Sequence, residues 1–185
     1  MYGKFLRPLL IFIFEFMLGW KITGTKPSYK KFVMVVAPHT SNWDFIIGHW
    51  VRSSLRLNSW FIAKKELFRW PWGYLFRALG GYPVDRKKNT NLVDQIVEIF
   101  NERLEFNITI TPEGTRSYNA DWKTGFYQIA LKANIPIQMV AIDYSKKIIA
   151  FAAPFSPSGN LEQDLNFMKS FFKGYQGKYP DKGIL

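Results

Sequence analysis

The chain has 185 residues, a length that fits one compact domain, and it contains no cysteine, so disulfides, thiol catalysis and thiolate metal sites are excluded. His39 and His49 are its only histidines, which argues against a histidine-rich metal centre. The formal net charge of +11 fits an anionic bilayer or acidic cosubstrates, and no helix-turn-helix, zinc-finger or RNA-recognition pattern is present, so no nucleic-acid partner is expected.

The N-terminal part of the chain is strongly apolar from residue 5 to residue 20. Arg7, Pro8 and Glu15 interrupt this stretch, whereas a clean membrane span needs about 20 consecutive apolar residues. No small-residue cleavage site follows it, so a signal peptide is not indicated. We predict a helix that lies in the membrane interface and expect residues 1–25 to associate with a membrane. A spanning anchor and a buried core helix are the alternatives.

The first predicted strand, residues 32–37, runs directly into a histidine that lies five positions before a carboxylate. Open α/β proteins place their chemistry where such strands end, so His39 and Asp44 are candidates for a general base and the acid that orients it. The same residues also fit a capping box, with Ser41 as N-cap and Asp44 at the third helical position. No Gly-x-Ser-x-Gly sequence accompanies Ser41, which argues against a serine hydrolase.

The middle of the chain alternates between the two periodicities. A helix is predicted over 43–57, a strand over 60–63, a helix over 66–79 broken at Pro71, and an amphipathic helix over 91–104. His49 is interpreted as structural because it lies well round its helix from Asp44. The second helix is rich in aromatic residues that are either core or membrane-facing, with basic neighbours that suit lipid headgroups: Phe68, Trp70, Trp72, Tyr74, Phe76, Lys64, Lys65, Arg69 and Arg77.

A second polar cluster follows the predicted strand 106–111. It comprises Glu113, Gly114, Thr115, Arg116 and Ser117. Gly114 allows backbone N–H groups to approach a ligand, the hydroxyls add donors, and the guanidinium fork of Arg116 matches phosphate oxygens. The cluster is therefore a candidate anion site, with an ordinary tight turn as the alternative.

The remaining elements are predicted helices over 123–133 and 161–175 and predicted strands over 137–142 and 147–153. Strands that alternate with helices favour a single α/β domain over residues 1–185, with a mixed, mainly parallel sheet flanked by helices.

Four ordered blocks resemble those of the glycerolipid acyltransferases typified by the 1-acyl-sn-glycerol-3-phosphate acyltransferases. They are His39-Thr40-Ser41-Asn42-Trp43-Asp44, Gly80-Gly81-Tyr82-Pro83-Val84-Asp85-Arg86, Pro112-Glu113-Gly114-Thr115-Arg116-Ser117 and Ile135-Pro136-Ile137-Gln138-Met139-Val140-Ala141. The resemblance implies a glycerol-3-phosphate acyltransferase-like fold. It also implies acyl transfer in phospholipid biosynthesis with His39 as base and Asp44 as its partner. Asp85, Arg86 and residues 113–117 are implied to contact the acyl acceptor, with Arg116 on its phosphate.

Two residues depart from the family pattern. Thr111 stands where an aromatic residue usually precedes the third block, and Met139 replaces a second proline in the fourth block. Both are expected to border the pocket, so they bear on the choice of acceptor and not on the reaction type.

The resemblance further implies an acyl-CoA or acyl carrier protein thioester as cosubstrate and no cofactor or metal. It implies membrane lipid as the partner and a peripheral or monotopic location on the cytoplasmic face. Three alternatives stay open at this point. One is a membrane-associated thioesterase or other hydrolase in which His39 activates water, and another is acyl transfer to a lysolipid without a phosphate. The third is a membrane-binding module without catalysis.

Overall fold

The computed structural model of the protein describes residues 6–85 and 91–183, which form one α/β layered domain. The strands are β1 Lys21–Gly24, β2 Lys31–Ala37, β3 Ser59–Lys64, β4 Gly81–Val84, β5 Phe106–Ile110, β6 Ile137–Asp143 and β7 Ile148–Phe151. The α-helices are α1 Leu6–Ile11, α2 Trp43–Ser54, α3 Gly73–Ala78, α4 Leu92–Glu102, α5 Gly125–Lys132 and α6 Leu161–Phe172. A π-helical segment, Phe12–Met17, continues α1, and short 3-10 helices cover Lys65–Phe68 and Pro180–Lys182.

The seven strands form one sheet in the order β1-β7-β6-β2-β5-β3-β4. Every neighbouring pair is parallel except β6 and β7. The predicted mixed, mainly parallel sheet flanked by helices is therefore confirmed. Because β2 is central and pairs with both β5 and β6, the loops that follow these three strands meet at the carboxyl edge of the sheet.

Side chains alternate along β2 and thereby build a core on each face of the sheet. Val33 and Val35 point into a cluster formed with α4, α5 and α6. Phe32 and Met34 point into a second cluster formed with α2 and the N-terminal segment. The result is a three-layer arrangement, as expected when both faces of a mainly parallel sheet are buried.

The N-terminal segment packs against α2 through one side. Phe14 stacks on Trp50 with ring centroids 5.2 Å apart, and Glu15 accepts hydrogen bonds from the side chains of Trp50 and Ser54. The opposite side exposes large apolar residues, namely Leu9, Phe12, Phe16, Met17 and Leu18. One side of the segment therefore belongs to the core, as in the core-helix alternative, and the other side is an exposed apolar surface. Among the residues that the structure describes, no helix is both long and apolar enough to cross a bilayer.

Two strands and several helix ends differ from the sequence-based expectations. The sequence did not predict β1 or β4, which are both edge strands of four residues. β4 contains Gly81 and Pro83, and β1 is largely exposed, so neither shows a strand-like apolar pattern. The helix predicted over 66–79 is indeed interrupted around Pro71, between the 3-10 turn and α3.

Candidate active site

His39 lies in the loop between β2 and α2, at the carboxyl edge of the central strand. The neighbouring strand β5 ends at Ile110, which pairs with Val35, so the turn that follows β5 lies beside this loop. The backbone N–H of His39 donates to Oε1 of Glu113 at 3.0 Å. The first and third sequence blocks are therefore joined directly, although 74 positions separate the two residues.

Asp44 is buried in the first turn of α2, directly after this loop. Its Oδ2 lies 3.0 Å from Nδ1 of His39 and also accepts the backbone N–H groups of Thr40 and Ser41, each at 2.9 Å. Ser41 Oγ accepts the N–H of Trp43, the first residue of α2. Asp44 therefore contacts the histidine and also satisfies backbone donors before the helix. These contacts fit both interpretations of the sequence, except that the N-cap of α2 is Asn42 and not Ser41.

The hydrogen bonds around Asp44 keep its carboxyl group ionised. Burial on its own raises the pKa of this carboxyl group, but the hydrogen bonds from His39, Tyr144 and Ser41 outweigh that effect and hold the pKa below its ordinary value. A carboxylate in contact with Nδ1 places the proton of a neutral imidazole on that nitrogen, which leaves Nε2 as the atom that can accept a proton. His39 retains some exposure, with 18% of its side chain accessible.

Tyr144 completes the environment of Asp44, and the sequence analysis missed it. It follows β6 at the same edge of the sheet, and its hydroxyl donates to Asp44 Oδ1 at 2.6 Å. Burial, followed by the hydrogen bond to Asp44, raises the pKa of Tyr144, so the phenol stays protonated and remains a donor. The usable signal was the position of a polar aromatic residue directly after the strand of the fourth block.

The C-terminal residues hold the histidine loop from outside. The N–H of Tyr179 donates to Oγ1 of Thr40 at 3.3 Å, and the ammonium of Lys178 lies 4.7 Å from the ring centroid of Trp43. A side chain at Gly177 would meet the Cγ2 and Oγ1 atoms of Thr40 at 2.7 Å, so only glycine fits this approach. The segment therefore fixes the loop between β2 and α2.

The turn after β5 is built around a buried carboxyl group. Burial raises the pKa of Glu113, although the hydrogen bond from the His39 backbone opposes that shift. Within the described ranges, Glu113 Oε2 has no hydrogen-bond partner, while its backbone carbonyl accepts from Nδ2 of Asn119 at 2.8 Å. Gly114 has a φ of +67°, a left-handed conformation that glycine adopts without strain. Thr115, Arg116 and Ser117 are exposed, and Thr115 Oγ1 accepts the N–H of Ser117.

A single large cavity joins the two clusters. Its volume is about 1180 Å³, and His39, Asp44, Gly114 and Arg116 all line it. Lys123 lines it as well and packs against Gly114, where an added Cβ would lie 3.2 Å from the Lys123 side chain. The sequence analysis did not select Lys123. The cavity wall therefore contains a candidate base together with the cationic side chains of Arg116 and Lys123.

The rest of the cavity wall is mainly apolar and comes from both faces of the sheet. Residues from the α2 side are Met34, Val36, Ile47, Val51, Phe61, Val140 and Ile142, and residues from the α4 and α5 side are Trp60, Ile62, Leu92, Ile96, Ile110, Phe126 and Ile129. His49 and Arg52 add polar groups to the α2 side. Such a wall suits a long apolar chain better than a small polar molecule.

Four predicted residues need separate placement. Asp85 is absent from the described cavity lining, and its Oδ2 lies 3.8 Å from Nζ of Lys65. Arg86 lies outside the described residues. Thr111 borders the cavity as expected, whereas Met139 is buried in the core cluster on the α4 and α5 side and does not line it. The expectation that Met139 borders the pocket is therefore wrong, because its position on β6 directs the side chain to that core.

Comparisons with known proteins bear on the fold and on the family of the chain. No curated protein sequence matches the chain. A solved structure with a similar fold is the 1-acyl-sn-glycerophosphate (LPA) acyltransferase PlsC from Thermotoga maritima, at 22% identity and a TM-score of 0.59. The alignment covers 82% of this chain and 68% of that one. The sequence model of the family described as Acyltransferase matches residues 20–143, a span that contains all four sequence blocks. Since this match extends over well more than half of the chain, the protein belongs to the acyltransferase family.

Proposed function

We propose that the protein transfers a fatty acyl group from an acyl thioester to the free hydroxyl of a lysophospholipid or a glycerol phosphate. The observation that carries the proposal is the composition of one cavity. A His39–Asp44 pair, the cationic side chains of Arg116 and Lys123, and a long apolar wall all border it. The 1-acyl-sn-glycerophosphate in the name of the Thermotoga maritima protein belongs to the same class of acceptor.

In the proposed reaction, Nε2 of His39 takes the proton of the acceptor hydroxyl as its oxygen attacks the thioester carbonyl carbon. The new C–O bond forms, the C–S bond breaks, and the proton returns from His39 to the departing thiolate. Asp44 orients the imidazole and stabilises the imidazolium while the proton is held there. Neither a covalent acyl-enzyme nor a cofactor is required. Much of the acceleration arises because both reactants are held in one site.

The surrounding groups divide between the two substrates in this proposal. Arg116 and Lys123 bind the phosphate of the acceptor, and the apolar wall binds the acyl chain of the donor. Glu113, Gly114, Thr115 and Ser117 shape the turn that presents Arg116. The N–H groups of His39, Thr40 and Ser41 already donate to carboxylates. The oxyanion of the tetrahedral intermediate is therefore stabilised by other donors than these three.

The proposal also covers where the reaction takes place. The exposed apolar side of the N-terminal segment and the net charge of +11 support association of residues 1–25 with an anionic membrane surface, at its cytoplasmic face. The same charge suits an acidic cosubstrate, either acyl-CoA or an acyl carrier protein thioester.

The decisive experiment uses purified protein and a labelled acyl thioester, with and without lysophosphatidate. We expect product that depends on the acceptor, and a loss of about 10²- to 10⁴-fold in His39→Ala, the range of general base catalysis. Asp44→Asn should also lose activity. His49→Ala, which changes the only other histidine, is the control and should keep most of its kcat. Free fatty acid released without acceptor dependence would instead identify a thioesterase, and full activity of His39→Ala would refute the proposed base.

A further inference from the structure

Residues 64–77, here called the aromatic loop, expose an unusual number of large apolar side chains. The exposed fractions are 84% for Trp70, 65% for Trp72, 76% for Tyr74, 50% for Leu75 and 43% for Leu67. Soluble surfaces seldom present clustered tryptophan and tyrosine without a binding partner. The sequence left these aromatics as either core or membrane-facing, and the structure separates them. Phe68 is buried, while Trp70, Trp72 and Tyr74 face outward.

The loop is fixed in this outward orientation by its inner side. Phe68 is only 7% exposed and packs against Phe76, with ring centroids 5.9 Å apart. The N–H of Gly73 donates to the carbonyl of Arg69 at 2.8 Å, and the carbonyl of Phe68 fills the space where a side chain at position 73 would lie. The space beneath the loop is therefore occupied, so the exposed aromatics have no core site into which they can turn.

The charges around the exposed aromatics have one predominant sign. Lys64, Lys65, Arg69 and Arg77 are all exposed, and Glu66 is the single acidic residue of the segment. Tryptophan and tyrosine side chains favour the boundary between headgroups and acyl chains, because the ring is apolar and its N–H or O–H can remain hydrated. Lysine and arginine beside them are attracted to anionic headgroups.

We propose that the aromatic loop is a bilayer-docking surface for anionic phospholipid, in addition to the N-terminal segment. An acidic carrier protein would be attracted by the cations but offers no reason for two tryptophans that are mostly exposed. A bilayer surface uses both features. The inference rests on the proposed function in one respect, which is that the protein works at a membrane. Its test is independent of the proposed reaction, because vesicle binding is measured without turnover.

The loop is also placed where docking serves the cavity. It leaves the sheet at the carboxyl end of β3, and β3 is parallel to β2, whose carboxyl end leads to His39. Leu79, which directly follows α3, lines the cavity. Phe68 and Phe61 both approach Gly81. Phe61 also packs on Phe45, a half-exposed residue of the cavity wall, with ring centroids 5.6 Å apart. A membrane bound at the aromatic loop therefore lies near the part of the cavity wall that Phe61 and Leu79 form.

The test is co-flotation of the full-length protein with vesicles of phosphatidylcholine alone or mixed equally with phosphatidylglycerol. Trp70→Ser/Trp72→Ser should weaken partition into the mixed vesicles by at least about tenfold, because two large apolar surfaces no longer enter the interface. Lys64→Gln/Arg69→Gln should weaken it by about fivefold per cation, and only with the anionic lipid. Acyl chains brominated near the headgroup should quench wild-type tryptophan emission more than that of Trp70→Phe/Trp72→Phe.

The matched control is Tyr29→Ser/Leu104→Ser. These residues are also exposed, at 53% and 88%, but they precede β2 and β5 and so lie at the opposite edge of the sheet. Their replacement should leave partition within about twofold of the wild type. Unchanged vesicle binding of Trp70→Ser/Trp72→Ser would overturn the proposal. The proposal would also be overturned if an acidic carrier protein quenched the tryptophan emission and the brominated vesicles did not. Turnover of a short, water-soluble thioester, assayed in parallel, reports on the proposed reaction independently of vesicle binding.

Discussion

Replacement of Tyr144 by phenylalanine isolates one hydrogen bond of the Asp44 carboxylate. The hydroxyl donates to Asp44 Oδ1 at 2.6 Å, and the ring packs edge-on against Trp20 with centroids 5.1 Å apart. Phenylalanine keeps this ring contact and removes only the donor. A hydrogen bond to a charged group contributes about 1.5–3 kcal/mol net, so the free energy of unfolding should fall by about that amount.

The kinetic effect should be smaller than a loss of Asp44 itself. Nδ1 of His39 and two backbone N–H groups still hold Oδ2 in place. Losing this hydrogen bond changes the rate only to the extent that the bond is stronger in the transition state than in the ground state. We therefore expect kcat/KM to fall about three- to thirtyfold. The Tyr144 hydrogen bond is among the contacts that lower the pKa of Asp44. Its removal raises that pKa, so the loss of activity that protonation of Asp44 causes should begin at a higher pH.

Tyr127→Phe is a closely matched control. The Tyr127 hydroxyl donates to the buried carboxylate of Asp164 at 2.7 Å, and Tyr127 does not line the cavity. Chemical denaturation should show a similar loss of stability in both variants, whereas acceptor-dependent kcat/KM and the pH–rate profile should change only in Tyr144→Phe. A Tyr144→Phe protein with wild-type kcat/KM and an unshifted profile, or equal kinetic losses in both variants, would refute the positioning role.

Three further predictions concern the cavity. Arg116→Ala should lower acceptor kcat/KM about ten- to a hundredfold, with only partial rescue by Arg116→Lys, because lysine lacks the bidentate fork; equal values in all three proteins would remove Arg116 from the acceptor site. Glu113→Gln retains an acceptor for the His39 N–H, and because burial raises the pKa of Glu113, the ionised form is disfavoured by folding. The free energy of unfolding of Glu113→Gln at neutral pH should therefore equal or exceed that of the wild type, and the difference should vanish as pH falls below about 4.5. Glu113→Ala should lose both stability and kcat. Burial lowers the pKa of His49 to about 4, so between the unfolded value of 6.5 and about 4 the unfolded chain binds more protons. The free energy of unfolding should consequently fall as pH falls through this window, and that of His49→Gln, measured by denaturation, should fall less. Equal declines in the two proteins would contradict the lowered pKa of His49.

The sequence by itself determined the layered α/β architecture and the edge of the sheet at which the candidate site lies. The β-branched and apolar run of β2 can only be a buried strand, and the apolar spacing of α4 fixes the side that faces the sheet. His39 and Glu113 each follow such a strand, which places them at one edge once the strands are parallel. Short-range periodicity is sufficient for these conclusions. It is insufficient for β1 and β4, whose pairing is set by neighbours and not by their own composition.

Only the tertiary structure decided which partners complete the site. Tyr144 lies 100 positions from Asp44, and the Tyr179 N–H lies 139 positions from the Thr40 hydroxyl that it contacts. No local pattern encodes such distances, because they depend on how strand order and chain reversals bring separate loops together. The outward orientation of Trp70 and Trp72 was decided in the same way. Periodicity marks them as apolar, but whether an apolar residue is buried depends on whether another part of the chain already occupies the space beneath it.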